Sequence, residues 1–401
     1  MWIAFGLVTV AIYLGHSMHF EYRGASQFHA GHQAEQAIDG ALRYFKFVLM
    51  NSTDAGQIPD PLNYSARQLQ IGEATVYMIG RSGGEDNLNS NIPTLGPVDE
   101  ASKININLAP YEVLMQLPMI TPEFAAAIVD WRDEDDELTE NGAEASMYTL
   151  LDNAYNIKNS PFETLEELRL VYGATTEMLY GEDINQNGIL DPNENDGNQS
   201  PPMDNADGVL DFGILEYLTV HAAEPEETEN DEDDQNNGGN NNPTGGGGAA
   251  RLQQQPPPGT GDDESAETGF KVNVNTASAV VLSCLPGMNL SLAQQVVAAR
   301  TGNAEVNPTL DWAREVIDAD TWSQVEPYLT DKSYQFSLDL AAVGRNGLGY
   351  RRVRYVIDNS SGTPVVVYRR DMSRFGWALG ETLRQQLSTQ ARTGNRNINM
   401  F

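Results

Sequence analysis

Lys103–Arg132 reads KININLAPYEVLMQLPMITPEFAAAIVDWR, and Lys271–Arg300 reads KVNVNTASAVVLSCLPGMNLSLAQQVVAAR. The two stretches align without a gap at a constant offset of 168 residues. Both keep K-x-N-x-N-x-A, then V-L-x-x-L-P, then an Ala four residues before a Val, and a closing Arg. The alternation of Ile104 and Ile106, and of Val272 and Val274, predicts a short strand. Apolar Val113, Leu114 and Leu117, matched by Val281, Leu282 and Leu285, predict a helix. Pro118 or Pro286 then turns the chain into a second apolar helix, giving a helix-hairpin-helix unit twice.

A chain of 401 residues holds two or three domains, or one domain with a large insertion. Its formal net charge of −33 opposes nucleic-acid binding, because phosphates are repelled before any base is read. The charge is uneven: 11 Lys/Arg face 5 Asp/Glu from Asp331 onward, against 13 and 52 before it. Cys284 is the only cysteine, which excludes an internal disulfide, and its place on an apolar helix side predicts a buried thiol.

Residues 2–14 are uncharged and mostly apolar. They read as a membrane helix whose start lies upstream of Met1, in preference to a buried core helix. Ala37, Ala41, Tyr44, Phe45 and Val48 form one stripe further on, so a single helix from residue 2 to about 50 is expected, apolar first and amphipathic later. His16, His19, His29 and His32 pair at i,i+3 on it with no carboxylate or Cys to complete a metal set, and read as a solvated face.

Ala74–Ile79 is a strand by its β-branched and aromatic content. After the first repeat come the acids of Asp133–Leu138, and Pro161–Tyr172 reads as a helix entered through a cap. Glu224–Gly269 holds EPEETENDEDD, NNGGNNNPTGGGG and QQQPPPGTG, a composition unable to bury a core, so a disordered linker is expected. Leu310–Val316 and Thr321–Tyr328 read as helices. Tyr334 to Leu340, Val353 to Ile357 and Val365–Tyr368 alternate as a three-stranded antiparallel meander with turns at Asn346-Gly347 and Ser360–Gly362. Ala378–Gln390 is a closing helix.

The motif with the most chemistry is DINQNGILDPNE, residues 183–194, which meets D-x-[DN]-x-[DN]-G-x5-E at every specified position. Asp183, Asn185 and Asn187 offer side-chain oxygens, Gly188 allows the sharp turn, Ile189 offers its carbonyl, Asp191 holds the ninth position and Glu194 the bidentate twelfth. DNADGVLD, residues 204–211, repeats the core of that loop with Asp204, Asp207 and Asp211, but Ile214 stands where the twelfth ligand belongs and Glu216 lies two further on. One structural calcium ion is expected, and a second is an open alternative. No nucleophile, zinc or phosphate-loop motif occurs, which points away from an enzyme. The first hairpin, Leu117 to Thr121, lacks glycine and runs into Asp130, Asp133, Glu134, Asp135 and Asp136. Phosphate capture there is opposed by both geometry and charge.

The order of these features resembles the general secretion pathway protein K family, the large minor pseudopilins of type II secretion systems. The N-terminal apolar helix, DEASKININLAPYEVLMQLP, AIVDWRDEDD, YNIKNSPFETLEELRLVYG, GEDINQNGILDPNENDG and the C-terminal strands carry it, over most of residues 1–375 apart from the linker. The resemblance implies an α+β, pilin-like fold in which a long N-terminal helix packs on an antiparallel sheet and a large helical domain is inserted between strands. It also implies calcium in that domain, on Asp183, Asn185, Asn187, Ile189, Asp191 and Glu194. The expected partners are two further minor pseudopilins, GspI- and GspJ-like, and the pseudopilus. The expected location is the bacterial inner membrane, single-pass, with the bulk in the periplasm. The corresponding division is a helix at 1–55, a sheet at 56–102 and 330–375, an inserted domain at 103–222 and 269–329 around the linker 223–268, and a C-terminal helix and tail at 376–401. A non-enzymatic subunit at the pseudopilus tip is the expected function. The alternative is an envelope helix-hairpin-helix DNA receptor of the ComEA type.

Overall fold

The computed structural model describes residues 2–51, 56–57, 59, 68–81, 93–197, 199–222, 269–303, 309–344 and 347–393. The expected linker and the last residues of the tail lie outside them. Helix α1 spans Trp2–Met50 unbroken, as its Pro-free sequence allows. Its second half buries Ala30, Ala34, Ala37, Ile38, Ala41, Phe45, Val48 and Leu49, one stripe at helical spacing. The first half leaves Trp2, Phe5, Tyr13 and Phe28 at 89, 71, 72 and 70 % exposure.

The stripe packs on a sheet of six strands: β1 (Leu69–Ile71), β2 (Ala74–Ile79), β3 (Val98–Asp99), β8 (Gln335–Val343), β9 (Arg351–Asp358) and β10 (Val365–Asp371). The order is β1-β2-β8-β9-β10, all antiparallel, and β3 shares the β8 edge with β2. The expected meander is therefore the far side of a larger sheet, joined to β2 through Thr75↔Val343 to Ile79↔Asp339.

Between β3 and β8 lies an inserted head. Each repeat opens with a two-residue strand held parallel to a later one: β4 (Ile104–Asn105) with β5 (Leu218–Thr219), and β6 (Val272–Asn273) with β7 (Leu329–Thr330). Helices α2 (Tyr111–Leu114) and α3 (Pro122–Arg132) form the first hairpin, α6 (Ala279–Ser283) and α7 (Leu290–Asn303) the second. The repeated residues explain the motif. Asn105 and Asn273 each accept the amide two residues on, from Asn107 at 3.0 Å and Asn275 at 2.8 Å. The closing Arg132 and Arg300 donate to the carbonyls of Ala109 and Ala277, both at 2.7 Å. The matching hairpin positions Met119 and Gly287 have φ of 60° and 75°, so the first copy holds a non-glycine in the left-handed region. Ile104, Leu114, Ile128, Val272, Leu282 and Val296 share one core.

Short helices α4 (Ala145–Tyr148), α5 (Thr176–Tyr180), α8 (Asp311–Val316) and α9 (Ala319–Val325) complete the head, and α10 (Gly380–Thr393) ends the described chain. Two expected helices are corrected. Pro161–Tyr172 contains only a 3-10 turn at Leu165–Leu170, capped by the Glu167 carboxylate on the amides of Glu163 and Thr164. Thr321–Tyr328 stops as an α-helix at Val325 because Pro327 forces a 3-10 turn.

Strand β8 alternates as the sequence predicts, yet every one of its nine residues is buried. Phe336, Leu338, Leu340 and Ala342 face α1. Ala341 and Val343 face Leu379, just ahead of α10, and Leu383 on it. The polar residues between, Ser337 and Asp339, face the head, which therefore covers part of the outer side of the sheet.

Candidate metal loop and head–sheet junction

Helix α5 ends at Gly181, where φ is +60° and an added Cβ would lie 2.2 Å from the Asp211 carbonyl oxygen, so no side chain fits. The chain then enters the 183–194 loop. The Asp183 carboxylate accepts the amides of Asn187 and Gly188, both at 2.9 Å, and Asn187 Oδ1 accepts the Ile189 amide at 2.9 Å. Gln186 and Gly188 take φ of 54° and 73°, which curls the backbone round the carboxylate. Asp191 accepts from the side-chain amides of Asn185 at 2.6 Å and Asn187 at 2.9 Å. Glu194 Oε2 accepts the Asp191 amide at 3.0 Å.

Asp183, Asn187 and Glu194 are all buried, at 4, 1 and 1 % exposure. Two acceptors in the loop, Asn185 Oδ1 and Glu194 Oε1, are buried with no partner. Burial, then the nearby Asp183 carboxylate, pushes Glu194 up to about 9. Burial likewise raises Asp191. Among the described residues no three His, Cys, Asp or Glu side chains are arranged to hold a metal ion. The donor set of this loop is mixed, however, with two Asn side chains and a carbonyl beside three carboxylates. A hard cation supplies what the two orphaned oxygens lack, so the residues present fit calcium.

The second loop is built differently. Asp204 accepts amides of Gly197, Ala206 and Asp196 at 2.9, 2.8 and 3.0 Å, and Asp207 accepts that of Val209 at 2.8 Å. Asp211 accepts the side-chain amide of Asn205 at 3.0 Å. Glu182, missed in the sequence, accepts the amides of Asn205 at 3.2 Å and Asp211 at 3.0 Å, tying the two loops together. No orphaned side-chain oxygen is found on these residues. Glu216 turns away toward Arg81 Nε, 3.5 Å off.

What the sequence reading did not foresee is how the first loop is seated. Arg352 on β9, fully buried, grips Asp339 on β8 at 2.8 and 2.7 Å and donates to the carbonyls of Asn185, at 2.7 Å, and Gln186. Arg81, just past β2, donates to Asp183 at 3.0 Å and to the Gln186 carbonyl at 2.6 Å. Arg354 bridges Gln186 Oε1 at 3.0 Å and Asp339 at 2.9 Å. Although burial opposes the charge, Arg352 and Arg354 hold Asp339 well below the usual carboxylate range. Only the 183–194 motif and the mixed polar alternation of β8 and β9 hinted at this seat.

A second seat lies at the root of the head. Asp99 accepts the hydroxyls of Ser333 at 2.5 Å and Thr276 at 2.6 Å, joining β3, the approach to β8 and the second repeat. Glu100 accepts those of Ser337 on β8 and Thr219 on β5, with Lys103 Nζ at 3.6 Å. The α1 histidines stay on the helix surface, where His32 meets Glu35 at 3.8 Å and the Phe28 ring edge-on. Cys284 is buried, and burial pushes its thiol up to about 12.

Fold and junction together define an α+β architecture: a long helix on an antiparallel sheet, with a helical head inserted between two strands and seated on the sheet. Residues 89–180 match the family model for type II secretion system (T2SS) protein K, and residues 268–314 match the helix-hairpin-helix motif. The first match spans 92 of the 401 residues, through the first repeat as far as α5. Among solved structures this chain is similar to a chain of the GspK–GspI–GspJ complex from the enterotoxigenic Escherichia coli type 2 secretion system. That likeness has 14% identity and a TM-score of 0.45, covering 88% of this chain and 98% of that one. No curated protein matches the chain.

Proposed function

We propose that the chain is a non-enzymatic assembly subunit at the tip of a type II secretion pseudopilus, assisting protein export. The division of α1 carries the reading. Its first part is apolar enough over 18 residues to cross a membrane and none of that stretch is buried, while its second part packs on the sheet. A helix of that kind is held by surroundings other than its own domain: the bacterial inner membrane first, then the helical bundle of a fibre. The bulk of the chain would then lie in the periplasm. The head adds width above and outside the sheet, so it obstructs a further subunit stacked over it and leaves the lower side of the domain to recruit the next one.

GspI- and GspJ-like minor pseudopilins are the partners this reading requires. Calcium is the cofactor, held by Asp183, Asn185, Asn187, the Ile189 carbonyl, Asp191 and Glu194. A second ion on Asp204, Asp207 and Asp211, with Glu182, is the extension of that reading. Calcium would act as a structural staple, fixing the loop that Arg81 and Arg352 hold against the sheet.

The test is co-purification of the full chain from detergent-solubilised membranes with its candidate partners expressed alongside. A stable complex with the GspI- and GspJ-like subunits is expected. A chain that purifies alone, and that shifts duplex DNA at low salt, would replace the assembly reading with the ComEA-like receptor.

A further inference from the structure

Helix α1 leaves the sheet at Ala30, beside the turn that joins β8 to β9. A Cβ at Gly349 in that turn would lie 2.2 Å from the Ala30 carbonyl carbon, and one at Gly31 would lie 3.0 Å from Arg351 Nη2. At the other end of the packed half, just past α1, the Gly56 carbonyl accepts the Ser333 amide at 2.8 Å on the approach to β8. Strand β8 therefore runs toward the exposed half of α1, and the β8–β9 turn points along that half.

Helix α10 runs the same way. Its first turn lies beside the 183–194 loop, because Glu381 joins burial and Asp183 in raising Asp191. Leu383 then packs on Tyr77, Ala341 and Val343, and a Cβ at Gly347 in the β8–β9 turn would lie 3.1 Å from Leu387 Cβ. From there the helix continues to Thr393, about 9 Å further at ~1.5 Å per residue. Ala30 stands about 14 Å along α1 from Glu21, the first charged residue of that helix. Residues 394–401, which lie outside the described residues, span up to about 26 Å when extended.

The charge of the chain reverses at this end. Against a net −33 overall, no Asp or Glu follows Glu381, while Arg384, Arg392 and Arg396 do. The side of α10 turned from the sheet exposes Arg384, Gln385, Gln386, Ser388 and Thr389, and Arg351 is exposed beside Gly31. Arg384 pairs with Glu381 at 3.7 Å, but both side chains are exposed and such a pair is weak. The acids on the neighbouring elements are Glu21 and Glu35 of α1, the latter beside His32, and Asp371 of β10.

We propose that the end of α10 and residues 394–401 lie on the surface of the membrane that α1 enters, where Arg384, Arg392 and Arg396 meet the phosphate groups of anionic lipids. A guanidinium matches a phosphate with two parallel N–H donors. Cations held beside a membrane helix feel the negative surface potential within a Debye length, ~10 Å at 0.1 M salt. A single helix leaves the domain free to rotate about its own axis, and this second contact fixes that rotation. The inference rests on the reading of α1 as a membrane helix.

The full chain carrying T389C is labelled with bimane, which spares the buried Cys284. It is placed in nanodiscs of phosphatidylcholine, with or without phosphatidylglycerol, that carry a nitroxide on a fraction of the lipid head groups. Quenching of the bimane is expected to be stronger in the anionic discs and to fall to the neutral-disc level in high salt. Each of R384Q, R392Q and R396Q should lower the ratio of docked to free label about fivefold, and the triple variant should abolish the difference between the lipids. Q386C, on the same exposed side, repeats the measurement should a label at 389 disturb the contact. Quenching that is equal in both lipids, or unmoved by salt and by the triple variant, would overturn the contact. A label shielded from dissolved iodide in detergent as fully as in anionic discs would overturn it in favour of an acidic protein segment. A chain that carbonate strips from membranes would overturn the anchoring of α1 itself, a failure read separately from the lipid dependence.

Discussion

Arg352 on β9 donates to the Asn185 carbonyl at 2.7 Å while gripping Asp339 on β8 at 2.7 and 2.8 Å. One guanidinium thus belongs at once to the sheet and to the head loop proposed to bind calcium. Replacing it with Met leaves Asp339 buried with Arg354 as its ion-pair partner, and leaves the Asn185 carbonyl without its donor while Arg81 still holds that of Gln186. Breaking a buried pair on one side costs about 3–5 kcal/mol, and Arg354 keeps the loss near the lower end. Urea unfolding should show R352M less stable by about 3 kcal/mol, with weaker calcium binding. R352M/D339L should recover most of the stability and none of the calcium affinity. Equal losses in the single and double variants would refute the coupling.

Much of this architecture is legible in the residues. The gapless repeat fixes two hairpins, because Asn105 and Asn273 turn the strand into the helix and Arg132 and Arg300 close it in the same way. The apolar stripe Ala37, Ala41, Phe45, Val48 gives the packed face of α1. The seating of the head was not legible, for a physical reason. An alternating strand with Ser337 and Asp339 between apolar residues reads as half solvated, and only a partner from far along the chain, Glu100 or Arg352, makes the polar side an interior. The same limit applies to Glu182 and Arg81, whose roles depend on contacts with residues distant in sequence.

Asp99 sets a pH dependence. Burial, only partly offset by the Ser333 and Thr276 hydroxyls and the Ala101 amide, pushes its carboxyl up to about 6 from 3.8. The folded state then binds more protons than the unfolded chain between those values, so stability falls as pH rises from about 4 to about 6 and is flat beyond. The difference is worth about 3 kcal/mol. Asn at this position keeps an acceptor for the Ala101 amide and carries no charge. D99N should therefore gain on the parent as pH rises through that window. A D99N advantage independent of pH between 4 and 7 would count against this account.

Calcium removal should be felt mainly in the head. With the ion at 100 times its dissociation constant, binding stabilises a folded protein by about 2.7 kcal/mol. A chelator should lower the melting temperature of the parent. E194Q removes the charge of the expected bidentate ligand while keeping its shape, so it should melt near the chelated parent and respond little to added calcium. An unchanged parent melting curve in chelator would mean that the loop is held by Arg81 and Arg352 alone.

The two halves of α1 should separate cleanly by mutation. Side chains from Trp2 to Phe28 touch almost nothing in the domain, with Ile3 at 82 % and Leu7 at 67 % exposure. Deleting residues 2–28 should change the unfolding free energy by less than about 0.5 kcal/mol, as exposed positions usually do, while abolishing sedimentation with membranes. Phe45 is at 0 % exposure between α1 and the sheet, in one cluster with Phe336, Leu338 and Tyr355. Its replacement by Ala opens a cavity and costs about 3–5 kcal/mol, with the membrane association intact so long as the chain folds. If the deletion destabilises the domain as much as F45A does, the apolar half of α1 belongs to the core of the subunit and its exposed face is no anchor.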